Sequence, residues 1–340
     1  MFANEAELEE YLTTPRPELV EDLRCDEGDV LILGAGGKMG PTLCRLARCA
    51  LNAAGRTADR VLAVSRWSDA AQAERVRASG VDVISFDLLA NENLAELPEA
   101  SAVVFMVGAK FGTAQNPALT WVVNVALPAR VAARYRAARI VALSTGNVYP
   151  FVPLTSGGCA ESGPVGPVGE YAMSCLGRER VLQHAAETQR TPIALLRLNY
   201  AVDLRYGVLA DIGEAVLAGR PIDLSTAAVN VVWQGYANEI VLRSLRHACA
   251  EPFIVNLTGP EFVSVRRIAE AFADRMGAAA EFRGVPGDAA LLSDATRCHK
   301  LFGYPSQPLG TLVDWQADWL LAGLPTLGKE TKFAVRNGRF

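Results

Sequence analysis

The sequence predicts an α/β fold, a doubly wound parallel sheet with a smaller α+β lobe behind it. Three observations carry this expectation. Short, continuous apolar runs rich in Val, Ile and Leu recur between Val30 and Leu196, and strands apolar on both faces belong in a sheet covered on both sides. Segments with helical spacing separate these runs, the pattern of parallel strands joined by crossovers. The first run also ends in a glycine-rich turn that opens a helix, as such units commonly do.

Taken in order, residues 1–27 form a polar N-terminal extension. Asn4 can cap a short helix carrying Leu8, Tyr11 and Leu12, and Pro15 and Pro17 then break it. Residues 28–198 hold the sheet. Strands are expected at Val30–Leu33, Arg60–Val64, Val81–Phe86, Ala102–Val107, Ile140–Leu143 and Ile193–Leu196, and helices at Pro41–Ala53, Ala70–Ala78, Leu119–Ala137 and Tyr171–Glu187. Val152–Gly169, rich in Pro, Gly and Ser, reads as a loop over the sheet's C-terminal edge, where ligands bind in such folds. Residues 199–325 should form the smaller lobe, interleaved with the last elements of the sheet. Amphipathic helices are expected there at Val265–Met276, with Ser264 as N-cap, and at Leu312–Leu321. The tail 326–340 carries Lys329, Lys332, Arg336 and Arg339 and is either solvated or folded over a partner subunit.

Composition excludes several function classes. Half of the 340 residues are hydrophobic, enough for one large core or two linked ones, and the net charge is only −4. No basic stripe marks nucleic acid or an anionic membrane. The acidic N-terminus (Glu5, Glu7, Glu9, Glu10) lacks the apolar stretch of a signal peptide, and no apolar run approaches the ~20 residues of a membrane span. Seven cysteines without a paired motif argue against a disulfide framework, and the three histidines have no metal-ligand spacing. The expectation is a cytoplasmic protein without a metal.

The turn Gly34-Ala-Gly-Gly-Lys-Met-Gly40 places Gly34, Gly37 and Gly40 in GxxGxxG spacing after a strand and before a helix. Glycine suits positive dihedrals and close backbone approach, and the helix start offers free N–H groups to phosphate. A dinucleotide is therefore expected against Gly34, Gly36, Gly37, Lys38, Met39 and Gly40. The second strand ends at Ser65-Arg66 rather than at an acidic residue. A guanidinium suits a 2′-phosphate, so NADP is favoured, with NAD the alternative. At roughly 30 residues from the first glycine, Arg66 lies farther on than the ~20 usual for this contact.

Further motifs make the chain similar to the extended short-chain dehydrogenase/reductase group, the NAD-dependent epimerase/dehydratase family, and the likeness runs from about Gly28 to Leu321. Asp87-Leu88 resembles its adenine-contacting pair, and Val107-Gly108-Ala109-Lys110 its loop beneath the nicotinamide half. Asn124 matches an asparagine of the following helix. Ser144-Thr-Gly-Asn-Val-Tyr149 resembles Ser-Ser-x-x-Val-Tyr. Tyr171-x-x-Ser-Cys-x-x-x-Glu179 resembles Tyr-x-x-Ser-Lys-x-x-x-Glu except for Cys175. Arg197 and Asn199 approximate Arg-x-x-Asn, one residue closer together. The resemblance implies a Rossmann-type domain, Asn199 and Tyr171 among the cofactor contacts, Tyr171 as acid/base and Thr145 as the hydroxyl that orients the reacting oxygen.

The chemistry of the residues agrees. Hydride transfer at a carbinol carbon needs a group that moves the hydroxyl proton, and a tyrosine serves if its pKa falls towards neutrality. A nearby cation lowers it by about 1–3 units. Positions 171 and 175 share a helix face, so a lysine at 175 would serve, whereas Cys175 supplies no charge. Lys110, on the loop after the fourth strand, is the expected substitute, with Arg178, two turns beyond Tyr171, the other candidate.

The departures narrow the substrate. Gly146-Asn147 stands where the family's dehydratases resemble one another in an Asp-Glu pair, and no arginine lies between Arg220 and Arg243 to grip a diphosphate. Thr145, Asn147, Tyr200, Arg205 and Trp233 are the expected substrate contacts, Arg205 for a carboxylate and Trp233 as an apolar wall. The expected function is an NAD(P)-dependent oxidoreductase or epimerase acting on a hydroxyl/keto carbon of a small carbohydrate-derived substrate (sugar, sugar acid or polyol) rather than a nucleotide sugar. The alternative is a catalytically weakened NAD(P)-binding sensor or scaffold. The expected partner is a small molecule, with a homodimer left open.

Overall fold

The structure is a computed structural model that describes residues 2–91, 93–329 and 331–339. Among these residues, seven parallel strands form the central sheet: β1 (Val30–Leu33), β2 (Val61–Ser65), β3 (Asp82–Ser85), β4 (Ala102–Phe105), β5 (Arg139–Thr145), β6 (Ile193–Leu198) and β7 (Phe253–Leu257). Their spatial order is β7-β6-β5-β4-β1-β2-β3. The register aligns Val64, Leu33, Phe105, Ala142, Leu195 and Ile254 in one row across the sheet. Every residue that follows this row therefore emerges at one edge. The chain leaves β1 towards β2 and returns on its other side as β4, which opens the topological switch point where such sheets bind ligands.

Helices cover both faces, among them α4 (Ala70–Arg77) beside β3 and α11 (Thr296–Phe302) beside β7. α3 (Gly40–Ala53) contributes Leu43, Leu46, Ala47 and Leu51 to a core shared with Ile240 and Val241 of α9 (Gln234–Arg243). On the other face Leu127 and Val131 of α6 (Leu127–Arg134) meet Leu182 and Ala186 of α7 (Gly169–Gln189). A third core binds the smaller lobe, where Leu209 and Ile212 of α8 (Val208–Leu217), Phe272 of α10 (Val265–Met276) and Trp319 of α12 (Leu309–Leu321) pack together. Leu8 and Leu12 of α1 (Glu5–Thr13) belong to that core too, so the N-terminal extension is built into the molecule.

Several expectations need correction. Pro17 begins α2 (Pro17–Arg24) instead of only ending the helix before it, since proline lacks the N–H that a first turn leaves unused. The expected helix Leu119–Ala137 is α5 (Pro117–Trp121), a π-turn at Val122–Ala126 and α6. Pro128 has no N–H for the carbonyl of Asn124, and the Leu127 N–H reaches back to Val122. Ser264 precedes α10 but makes no capping hydrogen bond. The fourth strand ends at Phe105, leaving Met106 and Val107 in the loop. Part of the tail is packed, since Arg336 donates to the carbonyls of Ser225 (3.1 Å) and Ala289 (2.6 Å) and Thr226 donates to that of Phe333 (3.2 Å), while Lys329, Lys332 and Arg339 are exposed. No helix among the described residues is long and apolar enough to cross a membrane, and none of their His, Cys, Asp or Glu clusters could hold a metal.

Candidate active site

The glycine turn is shaped by contact as well as by dihedral. Gly34 has φ +91°, and a Cβ there would lie 3.0 Å from the Val107 nitrogen. A Cβ on Gly36 would stand 2.5 Å from Ser65 Oγ, and one on Gly40 only 2.2 Å from the Ala35 carbonyl oxygen. Backbone thus lies open at the start of the fourteen-residue α3, a cradle that suits a pyrophosphate. Lys38 reaches over the Tyr206 ring, its ammonium 3.1 Å from the centroid, and Met39 packs against the core. Burial, then the charge of Lys110, lowers Lys38 to a pKa of about 8.

At the end of β2, Arg66 is exposed and Ser65 half-buried. Trp67, which the sequence did not single out, takes a left-handed φ of 49° and donates its indole N–H to the Ile84 carbonyl (3.0 Å). A cavity of about 640 Å³ runs from Gly36, Gly37 and Lys38 to Ser68 and Arg75. Asp87 caps its own turn, accepting from Leu89 and Ala90 N–H, which holds its carboxyl below the usual range, and Leu88 is buried.

A second cavity, of about 420 Å³, unites the other candidates. Gly34, Gly37, Lys38, Met39, Gly108, Lys110, Thr145, Asn147, Tyr171, Asn199 and Tyr200 all line it. Thr145 ends β5, donates to Asn147 Oδ1 (3.0 Å) and accepts from the Asn147 N–H (3.2 Å). Tyr171, in the first turn of α7, shares hydrogen bonds with Thr145 and Cys175. Burial pushes its phenol far above the ordinary value, while the Thr145 contact and the field of Arg178 pull the other way. Burial also raises the Cys175 thiol, which sits in a small apolar cluster with Val148, Tyr149 and Cys159. Tyr200 has a left-handed φ of 47°, and burial raises its phenol to about 12. Strain of that kind in a non-glycine residue concentrates at functional sites.

The two candidate cations are placed differently. Lys110 donates from Nζ to the carbonyl of Thr331 (3.0 Å) in the tail, and burial lowers it to about 8 against the opposing charge of Asp211. Arg178 is 4% exposed. Its guanidinium donates to the carbonyls of Leu143 (2.6 Å) and Asn124 (3.3 Å) and to Asn124 Oδ1 (2.8 Å). The Asn124 carbonyl is the one that Pro128 leaves without a helical donor. Asn124 itself is wholly buried, and its amide joins the N–H and carbonyl of Ala109 to Ser174. It holds the loop Val107–Lys110 in place and does not face the cavity.

Two expected contacts are not free for a ligand in this arrangement, and the amide donors of a third are engaged within the protein. Trp233 is 3% exposed and packs edge-on against Trp315 and tilted against Tyr11, so the wall expected of it is a core contact. Arg205 forms ion pairs with Asp203 (2.7 Å), Glu9 (3.1 Å) and Glu5 (3.5 Å), leaving no guanidinium edge for a carboxylate. Asn199 donates its amide to Asn230 Oδ1 (2.9 Å) and the Leu291 carbonyl (3.3 Å). Gln234 and Thr331 also line the cavity, and of these sequence reasoning missed Thr331. No motif marked Thr331, because it arrives from the tail.

Comparison with known proteins agrees with this geometry. Residues 30–202, just over half of the chain, match the model of the NAD dependent epimerase/dehydratase family. No curated protein sequence matches. Among solved structures, UDP-glucuronic acid 4-epimerase from Bacillus cereus, in complex with UDP-glucuronic acid and NAD, is similar with a TM-score of 0.72 at 16% identity over 86% of this chain and 99% of that one. UDP-glucose 4-epimerase from Thermotoga maritima, with UDP-glucose, scores 0.70 at 14% identity over 87% and 99%. dTDP-glucose 4,6-dehydratase from Bacillus anthracis, in complex with NAD, scores 0.71 at 13% identity over 87% and 97%. At these identities the structures attest the fold alone. The matched span holds the glycine turn, Thr145 and Tyr171, and the chain belongs to the NAD dependent epimerase/dehydratase family.

Proposed function

We propose that the protein is an NAD(P)-dependent oxidoreductase or epimerase acting on a hydroxyl or keto carbon of a small carbohydrate-derived substrate. One observation carries this reading: Thr145, Tyr171 and, from the glycine turn, Gly34 and Gly37 line a single cavity of about 420 Å³. The cradle of Gly34, Gly36 and Gly40, which any side chain would fill, suits a dinucleotide, and that cofactor, when bound, supplies the hydride acceptor or donor. Thr145 orients the substrate oxygen, and Tyr171 moves its proton. Lys110, a half-buried amine of pKa about 8 at the same cavity, is the group proposed to meet the nicotinamide ribose. Arg66 and Arg75 at the end of the adenosine side favour NADP over NAD.

The smaller substrate rests on the Gly146-Asn147 pair, on the lack of arginine between Arg220 and Arg243, and on Thr331 of the tail at the cavity wall. The solved neighbours with nucleotide sugars supply the competing class, so the test panel holds UDP-glucose and UDP-glucuronic acid beside free sugars, sugar acids and polyols. Cofactor reduction with a free sugar or acid, lost about 10²–10⁴-fold in Tyr171→Phe, is the expected outcome. Turnover of the UDP-sugars alone would replace the substrate proposed, and full activity in Tyr171→Phe would remove the tyrosine's role. The raised phenol of Tyr171 and the neutral Cys175 favour a second reading, a cofactor-binding sensor, which predicts NADP binding with no turnover of any substrate in the panel.

A further inference from the structure

Two adjacent charges buried on α7, Arg178 and Glu179, differ in what answers them. Glu179 is bonded by Arg197 (2.7 and 2.9 Å) and accepts from Ser144 (2.6 Å). Arg178, one residue earlier, has carbonyl and amide acceptors but no carboxylate within ion-pair distance among the described residues. Arginine stays protonated in proteins, and an uncompensated buried charge costs several kcal/mol. A fold that retains one beside its candidate site keeps a field there, and such sites are where function is found.

The geometry shows where that field acts. Side chains on a helix lean towards its N-terminus, so Arg178 reaches back along α7 towards the level of Cys175. Its Nη2 lies 3.2 Å from where a Cβ on Gly108 would stand, so the glycine in the loop after β4 leaves room for the guanidinium. Among the described residues, the charged and titratable groups about Tyr171 include Cys175 and Arg178 on its own helix, with Lys110, Lys38, Tyr200 and Tyr206 lining the same cavity. The charge of Arg178 lowers the phenol of Tyr171, and it outweighs that of Lys110 at Cys175.

We infer that Arg178 supplies the fixed positive charge that position 175 lacks, acting as a positioning residue that stabilises the ionised form of Tyr171 from beneath Gly108. The chain has moved the cation from 175 to 178 and put a small neutral thiol where the ammonium would stand. Lys110 is thereby left to the cavity side. The inference rests on Tyr171 being the acid/base group, yet it is read without turnover, so its failure and that of the functional reading are distinguishable.

The experiment places 3,5-difluorotyrosine at position 171, whose more acidic phenol titrates in a measurable range, and follows its ¹⁹F resonance against pH with NADP added. Arg178→Met should raise the midpoint by about one unit or more. The double variant Cys175→Lys/Arg178→Met should bring it back towards wild type, and Arg178→Lys should hold it near wild type. A purely structural strut would lower the melting temperature without moving the midpoint, and Cys175→Lys would not rescue anything. An unchanged midpoint in folded Arg178→Met, or a larger shift in Lys110→Met, overturns the inference. Should Arg178→Met not fold, the double variant decides, with a midpoint more than about one unit above wild type counting against the proposal.

Discussion

Arg197 and Arg178 are two buried arginines on neighbouring elements, and they differ in what answers their charge. Arg197, on β6, forks onto both oxygens of Glu179 and donates to the Tyr149 hydroxyl (2.7 Å). Its charge is cancelled where it arises, so it ties α7 to the sheet and leaves little field. Arg178, on α7, is held by dipoles alone, which satisfy its N–H groups without cancelling its charge. The first arrangement builds structure and the second keeps a potential. Burial alone does not tell a structural cation from a working one; the identity of the acceptor does.

This contrast can be broken by substitution, and the largest effect belongs to Arg197. Arg197→Met leaves Glu179 buried without a counter-charge, which should lower the unfolding free energy by about 3–5 kcal/mol in urea titration. A loss below about 1 kcal/mol would mean that water reaches Glu179 and that the pair is not the anchor described. Next comes Asn124→Ala, which removes the side-chain acceptor of Arg178 and the support of the Ala109 backbone together. Its expected cost is about 2–3 kcal/mol, accompanied by weaker NADP binding because the loop Val107–Lys110 loosens. Normal cofactor affinity in that variant would show that the loop stands without Asn124. Ser144→Ala is smaller, about 1 kcal/mol, since Arg197 still covers Glu179.

Why some of this was legible follows from the same physics. Five of the first six strands, all but the edge strand β3, are largely apolar on both faces, and the glycines answer a backbone need, so both signals survive in one dimension. The seventh strand was missed because Asn256 interrupts its apolar run. That amide bonds the carbonyls of Cys159 and Asp294 and accepts from Tyr149, a demand set by distant loops. Tyr171 and Thr145 could be found through the motifs that carry them. Arg178, two turns past the tyrosine on the same face, stood only second to Lys110, because spacing records which face a residue is on and not how far its side chain reaches back. Trp233 and Arg205 misled for the converse reason: their chemistry suits a ligand, but α1, far off in the chain, brings Tyr11, Glu5 and Glu9 to meet them.

Lys110 is the third cation and the one whose charge is optional. Burial lowers it, and Lys38, from the ordinary 10.5 to about 8. Between those values the unfolded chain binds more protons than the folded one, so stability should rise with pH from about 8 to 10.5 and be flat with respect to these groups below about 8. The rise expected of the wild type between pH 8 and 10 is about 1–2 kcal/mol, less than the full shifts would give because both amines keep some solvent contact. Lys110→Met should remove about 1 kcal/mol of that rise, measured by urea unfolding at several pH values. Parallel curves for the two proteins would mean that the Lys110 amine stays charged throughout, held by Asp211 and the Thr331 carbonyl. It would then be a second fixed cation, and the division between a permanent charge at Arg178 and a titrating amine at the cavity would have to be given up.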